Sequence, residues 1–570
     1  MKTIRRILSA FVLLCLFVQV AWAQADSPNS YRGHIVDVLK HKVYDGEVMV
    51  NNGFISSVRE CVLPSGTEYP YIMPGFIDSH MHIESSMILP QEYARAAVCH
   101  GTIGALPDPH EIGNVLGIEG VLYMIEQSKR VPFNFSFGAP SCVPCYGGDV
   151  ETAGARIDAK DVEKLLSMKE VGHLSEVMNY VGVLGGDADM HAKIEAAHKA
   201  GKRVDGHAPG LLGETRLKYA QTGITTDHEC STLEEGRECI KCGMKLLIRE
   251  GSAARNFQAL SPLIDQSPEH VMLCTDDYNP DDLMQGHINL IVKRALADGY
   301  DFWNVMQAAS VNPQRHYNLH WGLLQKGNPA NFILTDSLTP NFKVLKTILK
   351  GHVVYDHLTG VSLPISGKKQ KTEDMPNLFV AQPVTTADIC LDKQPGDTCH
   401  IIVATDGSLL TGHDIRPYDK ERDQKIVVLN RYQEGAKPVV ALISGFNIRN
   451  GAMASSVAHD CHNIVAVGSD DENIVRAINR VIEMKGGMVA IAGDEMVDMA
   501  LPIAGLMSPL PVESVVEKNI SLHYMMRKAG CTMQAPFITM SFMSLPVIPE
   551  LKITDKYLWD SHNMRPIKDR

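Results

Sequence analysis

Eight short, mostly apolar segments recur along the chain with helical stretches between them, and this alternation limits the fold more than any other feature. The segments span 72–77, 102–106, 134–139, 173–178, 203–206, 223–226, 245–249 and 271–275. Between them, stretches such as 115–127, 161–168, 190–200, 211–220 and 281–297 place apolar residues at helical spacing. Runs this short are strands, and strands that alternate with helices form a parallel sheet. Eight such units, over about the 250 residues that a (β/α)₈ barrel takes, predict an α/β fold with a TIM-like barrel over 72–320. An open doubly wound sheet is the alternative, but the chain carries no glycine-rich dinucleotide fingerprint.

The flanks have a different texture. Residues 31–71 read as short alternating strands with turn signals at Asp45-Gly46 and Asn51-Asn52-Gly53, and similar runs return after Trp321 around Gly322, Gly327 and Gly351. A small β-sandwich domain built from 24–71 and 321–365 would therefore hold the barrel as an insertion. The polar segment 366–377 reads as a linker. Beyond it, 378–570 has its own strands (401–404, 426–429, 439–443, 464–467) and a helix (472–484), enough for a C-terminal α/β domain.

Charge narrows the partners. The 54 basic and 66 acidic residues give a net charge of −12 without long basic runs, which argues against nucleic acid or an anionic membrane and favours a small substrate. At the N-terminus, Lys2, Arg5 and Arg6 precede an apolar run over 7–20 and then Ala21-Trp22-Ala23. This is the layout of a secretory signal peptide at 1–23. The run is shorter than the roughly 20 residues of a membrane span, so the expectation is removal, export to the periplasm and no stable membrane anchor; a leader that does not function would leave the protein cytoplasmic. Thirteen cysteines form no dense framework, and the Cys142/Cys145 and Cys239/Cys242 C-x-x-C pairs read as buried thiols.

A parallel barrel gathers its chemistry where strands end. The first segment runs into His80-Met81-His82, and side chains on a strand alternate, so both imidazoles point to one side. The fourth segment contains Glu176, the fifth is followed by His207, the sixth by His228-Glu229 and the eighth by Asp276-Asp277. Each residue alone has an ordinary structural explanation. Together, four histidines and two carboxylates on one rim would be an unpaired-charge problem unless cations sat among them. Six donors exceed what one tetrahedral ion needs, so two divalent ions fit better, with His80, His82 and Asp276 on one, His207 and His228 on the other, and Glu176 bridging. Such a pair brings the pKa of a bound water towards neutrality. The donors suit manganese, iron or zinc. Arg249-Glu250, at the seventh segment's end, reads as a structural ion pair.

The motif Pro74-Gly75-Phe76-Ile77-Asp78-Ser79-His80-Met81-His82-Ile83-Glu84-Ser85-Ser86 resembles the first-strand motif of bacterial adenine deaminases in the amidohydrolase superfamily. Asp108-Pro109-His110-Glu111, Ser175-Glu176-Val177-Met178-Asn179, Asp205-Gly206-His207-Ala208-Pro209, Thr226-Asp227-His228-Glu229 and Cys274-Thr275-Asp276-Asp277 agree with it, as do the C-terminal stretches 454–460, 501–508 and 545–555. The resemblance implies hydrolysis of adenine to hypoxanthine and ammonia in purine salvage, a binuclear centre of iron or manganese, and a homo-oligomer, a dimer or larger. On this reading a metal-activated hydroxide attacks C6, Asp276 passes its proton to the leaving amine, and Glu229 either protonates a ring nitrogen or orients His228. Glu84, Asp108 and His110 contact the purine or hold the ligating histidines, and His459-Asp460 belongs to a lid. Arg431-Tyr432 departs from the arginine-histidine pair of the family pattern. Two rival readings are another amidohydrolase acting on a different amino-heterocycle or cyclic amide, and an inactive exported protein that binds purine or metal.

Overall fold

The computed structural model describes residues 30–368 and 371–567; the leader read at 1–23 lies outside the described residues. Strands are numbered in chain order. β1 (Ser30–Asp37), β2 (Lys42–Asn51) and β3 (Phe54–Glu60) form an antiparallel meander, and β4 (Tyr71–Met73) adds parallel to β1. The segment expected as one strand over 72–77 is in fact two strands in two sheets. Pro74, which has no N–H to donate, ends β4, and Gly75 follows where a Cβ would meet the Ile103 side chain at 2.2 Å.

The barrel begins with β5 (Phe76–His82) and continues through β6 (Thr102–Pro107), β7 (Asn134–Phe135), β8 (Phe137–Ala139) and β9 (Val171–Val177). Then come β10 (Arg203–Gly206), β11 (Thr226–Asp227), β12 (Lys245–Arg249), β13 (Val271–Cys274) and β14 (Asp276–Asp277). β7 and β8 are one barrel position interrupted at Ser136, and β13 and β14 are another interrupted at Thr275. The paired strands of the barrel run parallel, and β14 pairs with β5 to close the ring. Between β10 and β11 the link is the backbone bond from Thr225 N to Val204 O, 2.8 Å. Buried Asp78 reinforces the closure: it accepts from Thr275 N (3.1 Å) and Thr275 Oγ1 (2.5 Å), and His287 Nε2 stands 2.9 Å away. The fold is therefore the (β/α)₈ barrel.

Two helices are shorter than their apolar spacing predicts. The stretch 115–127 belongs to helices His110–Leu116 and Ile118–Ser128, divided at Gly117, whose φ of 63° lies where glycine is favoured. The stretch 281–297 divides at Gly286 into Pro280–Gln285 and Ile288–Ala297. The first of these helices begins at His110, so His110 and Glu111 lie in its first turn on the rim.

After the barrel, β15 (Phe332–Thr335), β16 (Val344–Leu349), β17 (His352–Asp356) and β18 (Gly360–Val361) join the first sheet in the order β18-β17-β16-β15-β4-β1-β2-β3. Strands from both ends of the barrel thus share one ladder and one core, in which Tyr31 packs edge-on against Phe332 at 5.0 Å.

The C-terminal region builds a second eight-stranded sheet from β19 (Thr398–Val403), β20 (Gly412–Pro417), β21 (Gln424–Leu429), β22 (Val439–Ser444), β23 (Gly451–Ser455), β24 (Ile464–Gly468), β25 (Gly487–Ala492) and β26 (Glu495–Ala500). Period two decides its packing. Val427 and Leu429 of β21 pack with Ile474 and Ile478 of helix Asp471–Met484, whereas Ile426 and Val428 point the other way, into the large core that includes the barrel. The central strands of the sheet are therefore buried on both faces, and the second face is docked on the barrel half of the molecule. Among the described residues, no helix is long and apolar enough to cross a membrane.

Candidate metal centre

Strand periodicity puts His80 and His82 on the inner side of β5, with their rings 4.9 Å apart and nearly perpendicular. His82 Nδ1 lies 3.1 Å from the Asp108 carbonyl oxygen, so its Nε2 is the nitrogen left to face inward. The ring of His80 stacks on His228 at 4.2 Å. Glu176, from β9, stands between the two sets of imidazoles. Its Oε1 is 3.3 Å from His82 Nε2, 3.5 Å from His110 Nδ1 and 3.7 Å from His80 Nε2. Its Oε2 is 2.7 Å from His207 Nδ1 and 3.3 Å from His228 Nε2. Asp276 completes the ring with Oδ1 at 3.1 Å from His82 Nε2 and 3.8 Å from His80 Nε2. Its φ of 59° is left-handed, a conformation that aspartate tolerates better than most residues, and it lies at the break between β13 and β14.

All six of these side chains are buried, and they satisfy one another only in part, as where His207 Nδ1 meets Glu176 Oε2. Among the described residues, His80 Nε2 and His207 Nε2 have no hydrogen-bond partner, nor do Asp108 Oδ2 and His110 Nδ1 close by. A buried polar atom without a partner is costly. Donors that converge at 3.1–3.8 Å without bonding leave the spacing that a divalent ion about 2.0–2.2 Å from each would need. The residues fit such an ion. The groups that can hold one are His80/His82/Asp276, His80/Glu176/His228, His207/His228/Glu229 and His82/Asp108/His110/Glu176.

The charges in the cluster are strongly coupled. Burial pushes His80 well below the usual histidine range. Burial would push the two carboxyls up, but contacts with His207 and His228 outweigh it at Glu176, and Arg249 outweighs it at Asp276, so both are held well below the usual carboxylate range.

Arg249 is the residue whose expected role changes most. It does not pair with Glu250, which meets Arg294 instead at 2.8 Å. The Arg249 guanidinium is buried on the rim, where Nη1 lies against Glu229 Oε1 and 2.5 Å from Asp276 Oδ2. Asp108 and His110, expected to contact the purine or to hold the ligating histidines, stand inside the cluster with His82 and Glu176. Glu84 is buried beside them. Its Oε1 accepts from Ile112 N at 3.3 Å, its Oε2 is unpartnered, and burial pushes its carboxyl up to about 7.

The rim is braced from behind. Asn256 Oδ1 accepts from Arg249 N, and its Nδ2 donates to the carbonyls of His228 and Cys230, which joins the ends of β11 and β12. Tyr219 Oη donates to Val177 O at 2.7 Å and accepts from His207 N at 3.1 Å, which joins β9 to β10.

A match to the amidohydrolase family covers residues 71–354, and a match to the adenine deaminase C-terminal domain covers residues 409–565. Along nearly the whole chain, the sequence is 46% identical to an adenine deaminase of Sulfurovum sp. over 540 residues, covering 93% of this chain and 98% of that protein. It is 45% identical to an adenine deaminase of Salinibacter ruber (93% and 97% covered) and 44% identical to one of Methanosarcina mazei (93% and 98% covered).

Proposed function

Because this chain belongs to the adenine deaminase family of amidohydrolases, we infer that it hydrolyses adenine to hypoxanthine and ammonia at the rim cluster. Glu176 carries the reading: its two oxygens face different imidazole sets, so one carboxylate spans two donor groups. We assign His80, His82 and Asp276 to one divalent ion and His207 and His228 to a second, with Glu176 shared. The donor set suits manganese or iron, with zinc as the third option. When bound, such ions act as Lewis acids and make water nucleophilic at neutral pH.

The remaining roles belong to the chain's own groups. Asp276 is the proton carrier, taking a proton from the attacking water and returning it to the amine that leaves C6. Arg249, on Asp276 Oδ2, fixes that carboxylate so that Oδ1 faces the donors. Glu229 is assigned to the proton exchanged with a purine ring nitrogen. Its carboxyl is held on the rim by Arg249 and stands 3.5 Å from His228 Nε2. Glu84, Asp108 and His110 line the side where the heterocycle is held. Glu84 is suited to the task because a carboxyl pushed up to about 7 can donate to one ring nitrogen or accept from another.

The decisive experiment is incubation of the metal-loaded protein with adenine. Hypoxanthine and ammonia should form in equal amounts, with no ammonia from guanine or cytosine and no ring opening of a hydantoin; turnover of any of those and not of adenine would overturn the assignment. Export to the periplasm through the leader at 1–23 and assembly as a dimer or larger belong to the same proposal. N-terminal sequencing of the mature protein and light scattering on the purified enzyme test them.

A further inference from the structure

Glu111 lies at the start of helix His110–Leu116, on the barrel, yet both of its oxygens face histidines of the C-terminal domain. Oε1 is 2.5 Å from His459 Nδ1, and Oε2 pairs with His462 Nε2. The backbone sets the tautomer of His462. Ala458 N–H donates to His462 Nδ1 at 3.1 Å, so Nδ1 is the acceptor and the ring proton of the neutral imidazole sits on Nε2, facing Glu111. His459 reaches the rim a second time, with Nε2 at 3.8 Å from Asp277 Oδ1, next to Asp276. Its ring is held flat against Phe542, 4.5 Å between centroids at 7°.

From Glu111 the contacts lead to the centre. His110 Nε2 is 3.4 Å from Glu111 Oε1, and His110 Nδ1 is 3.5 Å from Glu176 Oε1. The loop that carries the two histidines is itself braced. Tyr432 Oη donates to Cys461 O at 2.7 Å, Asn463 Nδ2 donates to Thr152 O at 2.9 Å, and His459 N donates to Ser541 O at 3.1 Å. All of these side chains are buried or nearly so. A carboxylate hydrogen-bonded through one oxygen, with a second imidazole set against the other, has little freedom to turn, and so orients the histidine beside it.

We propose that His459 and His462 are positioning residues of the deaminase site: the C-terminal domain clamps Glu111 and, through it, sets His110 against the shared carboxylate Glu176. The proposal rests on the functional reading above. It makes the barrel rim incomplete without a domain that supplies none of the donors assigned to the ions.

The test compares variants of the full-length, metal-loaded protein. His459→Phe and His462→Phe keep a ring but lose the donors. His459→Asn and His462→Gln each return an amide N–H near the nitrogen that faces Glu111. The Phe variants should lower kcat by about 10–100-fold, with KM within about threefold and metal content unchanged, and the amide variants should recover most of that loss. Amide variants as impaired as the Phe variants, or Phe variants with wild-type kcat, would overturn the proposal. A cobalt(II)-substituted protein gives a readout independent of turnover: its visible absorption should shift in the Phe variants and not in the amide variants, and an unchanged spectrum in the Phe variants would also overturn it. A wild-type enzyme inactive on adenine would sink the functional reading, and the cobalt spectra would still decide the clamp.

Discussion

Two buried polar regions, the rim cluster and the Arg216–Asp227 pair behind it, meet the same electrostatic problem in opposite ways. Arg216 and Asp227 are fully buried, and the protein supplies both charges: Arg216 Nη1 meets Asp227 Oδ2 at 2.6 Å, and its Nε donates to Leu211 O at 2.6 Å. Asp227 Oδ1 accepts from Glu229 N at 2.9 Å and Ala208 N at 3.3 Å, which ties down the residues after His228 and His207. On the rim, by contrast, imidazole nitrogens and carboxylate oxygens converge and several remain without partners. A buried ion pair with its hydrogen bonds made is a scaffold, whereas convergent donors left unmade are a ligand site.

That contrast can be broken by substitution. Glu176→Gln should have the largest effect, because it removes the charge shared by both imidazole sets. Activity should fall by about 10³-fold or more and metal analysis should show a deficit; two full equivalents of metal in this variant would refute the shared carboxylate. Asp276→Asn keeps a metal-ligating oxygen but not the proton acceptor, so turnover should fall by about 10²–10⁴-fold while most of the metal stays. Normal turnover in that variant would remove Asp276 from the proposed mechanism.

Arg216→Met probes the other side of the comparison, since it strands a buried carboxylate. Urea unfolding at neutral pH should show a loss of about 3–5 kcal/mol. Burial pushes Asp227 up but Arg216 outweighs it, so its folded value is depressed. The wild-type contribution is then fully present above the unfolded value near 3.9 and is lost as pH falls through the folded one. The gap between wild type and variant should therefore be widest near neutrality and narrow in acid; a gap that widens in acid would contradict the pairing. The smallest effect is expected from Arg249→Gln, which leaves every group assigned to the ions in place and alters only the support of Asp276 and Glu229. A drop in kcat of about 10–100-fold with unchanged metal content would sharpen the view of Arg249 as the group that sets the roll of Asp276.

Much of the site is visible in the primary structure because each donor follows an apolar run at a strand end. His80 and His82 share a side through the two-residue repeat of β5, and Glu176, His207, His228 and Asp276 each lie within or just after one strand. What local pattern misses is choice of partner. Arg249 and Glu250 are adjacent in sequence, yet they project to different neighbours, and no spacing rule says that Arg249 turns to Glu229 and Asp276 while Glu250 turns to Arg294. The split of 72–77 into β4 and β5 was likewise hidden, although Pro74-Gly75 is a breaker that could have shown it. For the Glu111 clamp no local signal exists, because its partner His459 is 348 positions away.

The amino-acid sequence by itself determined the alternation of strand and helix and the supply of histidines and carboxylates at strand ends, since both follow from periodicities that covalent geometry imposes over a few residues. Only the tertiary structure decided that Glu176 would stand between two imidazole sets, that a buried arginine would hold Asp276, and that a loop of the C-terminal domain would grip Glu111. Those outcomes depend on ring closure between β14 and β5 and on which face of the second sheet docks on the barrel. Contacts between distant segments are selected by packing and charge burial across the whole molecule, and such selection leaves no repeat in the chain for a reader to find.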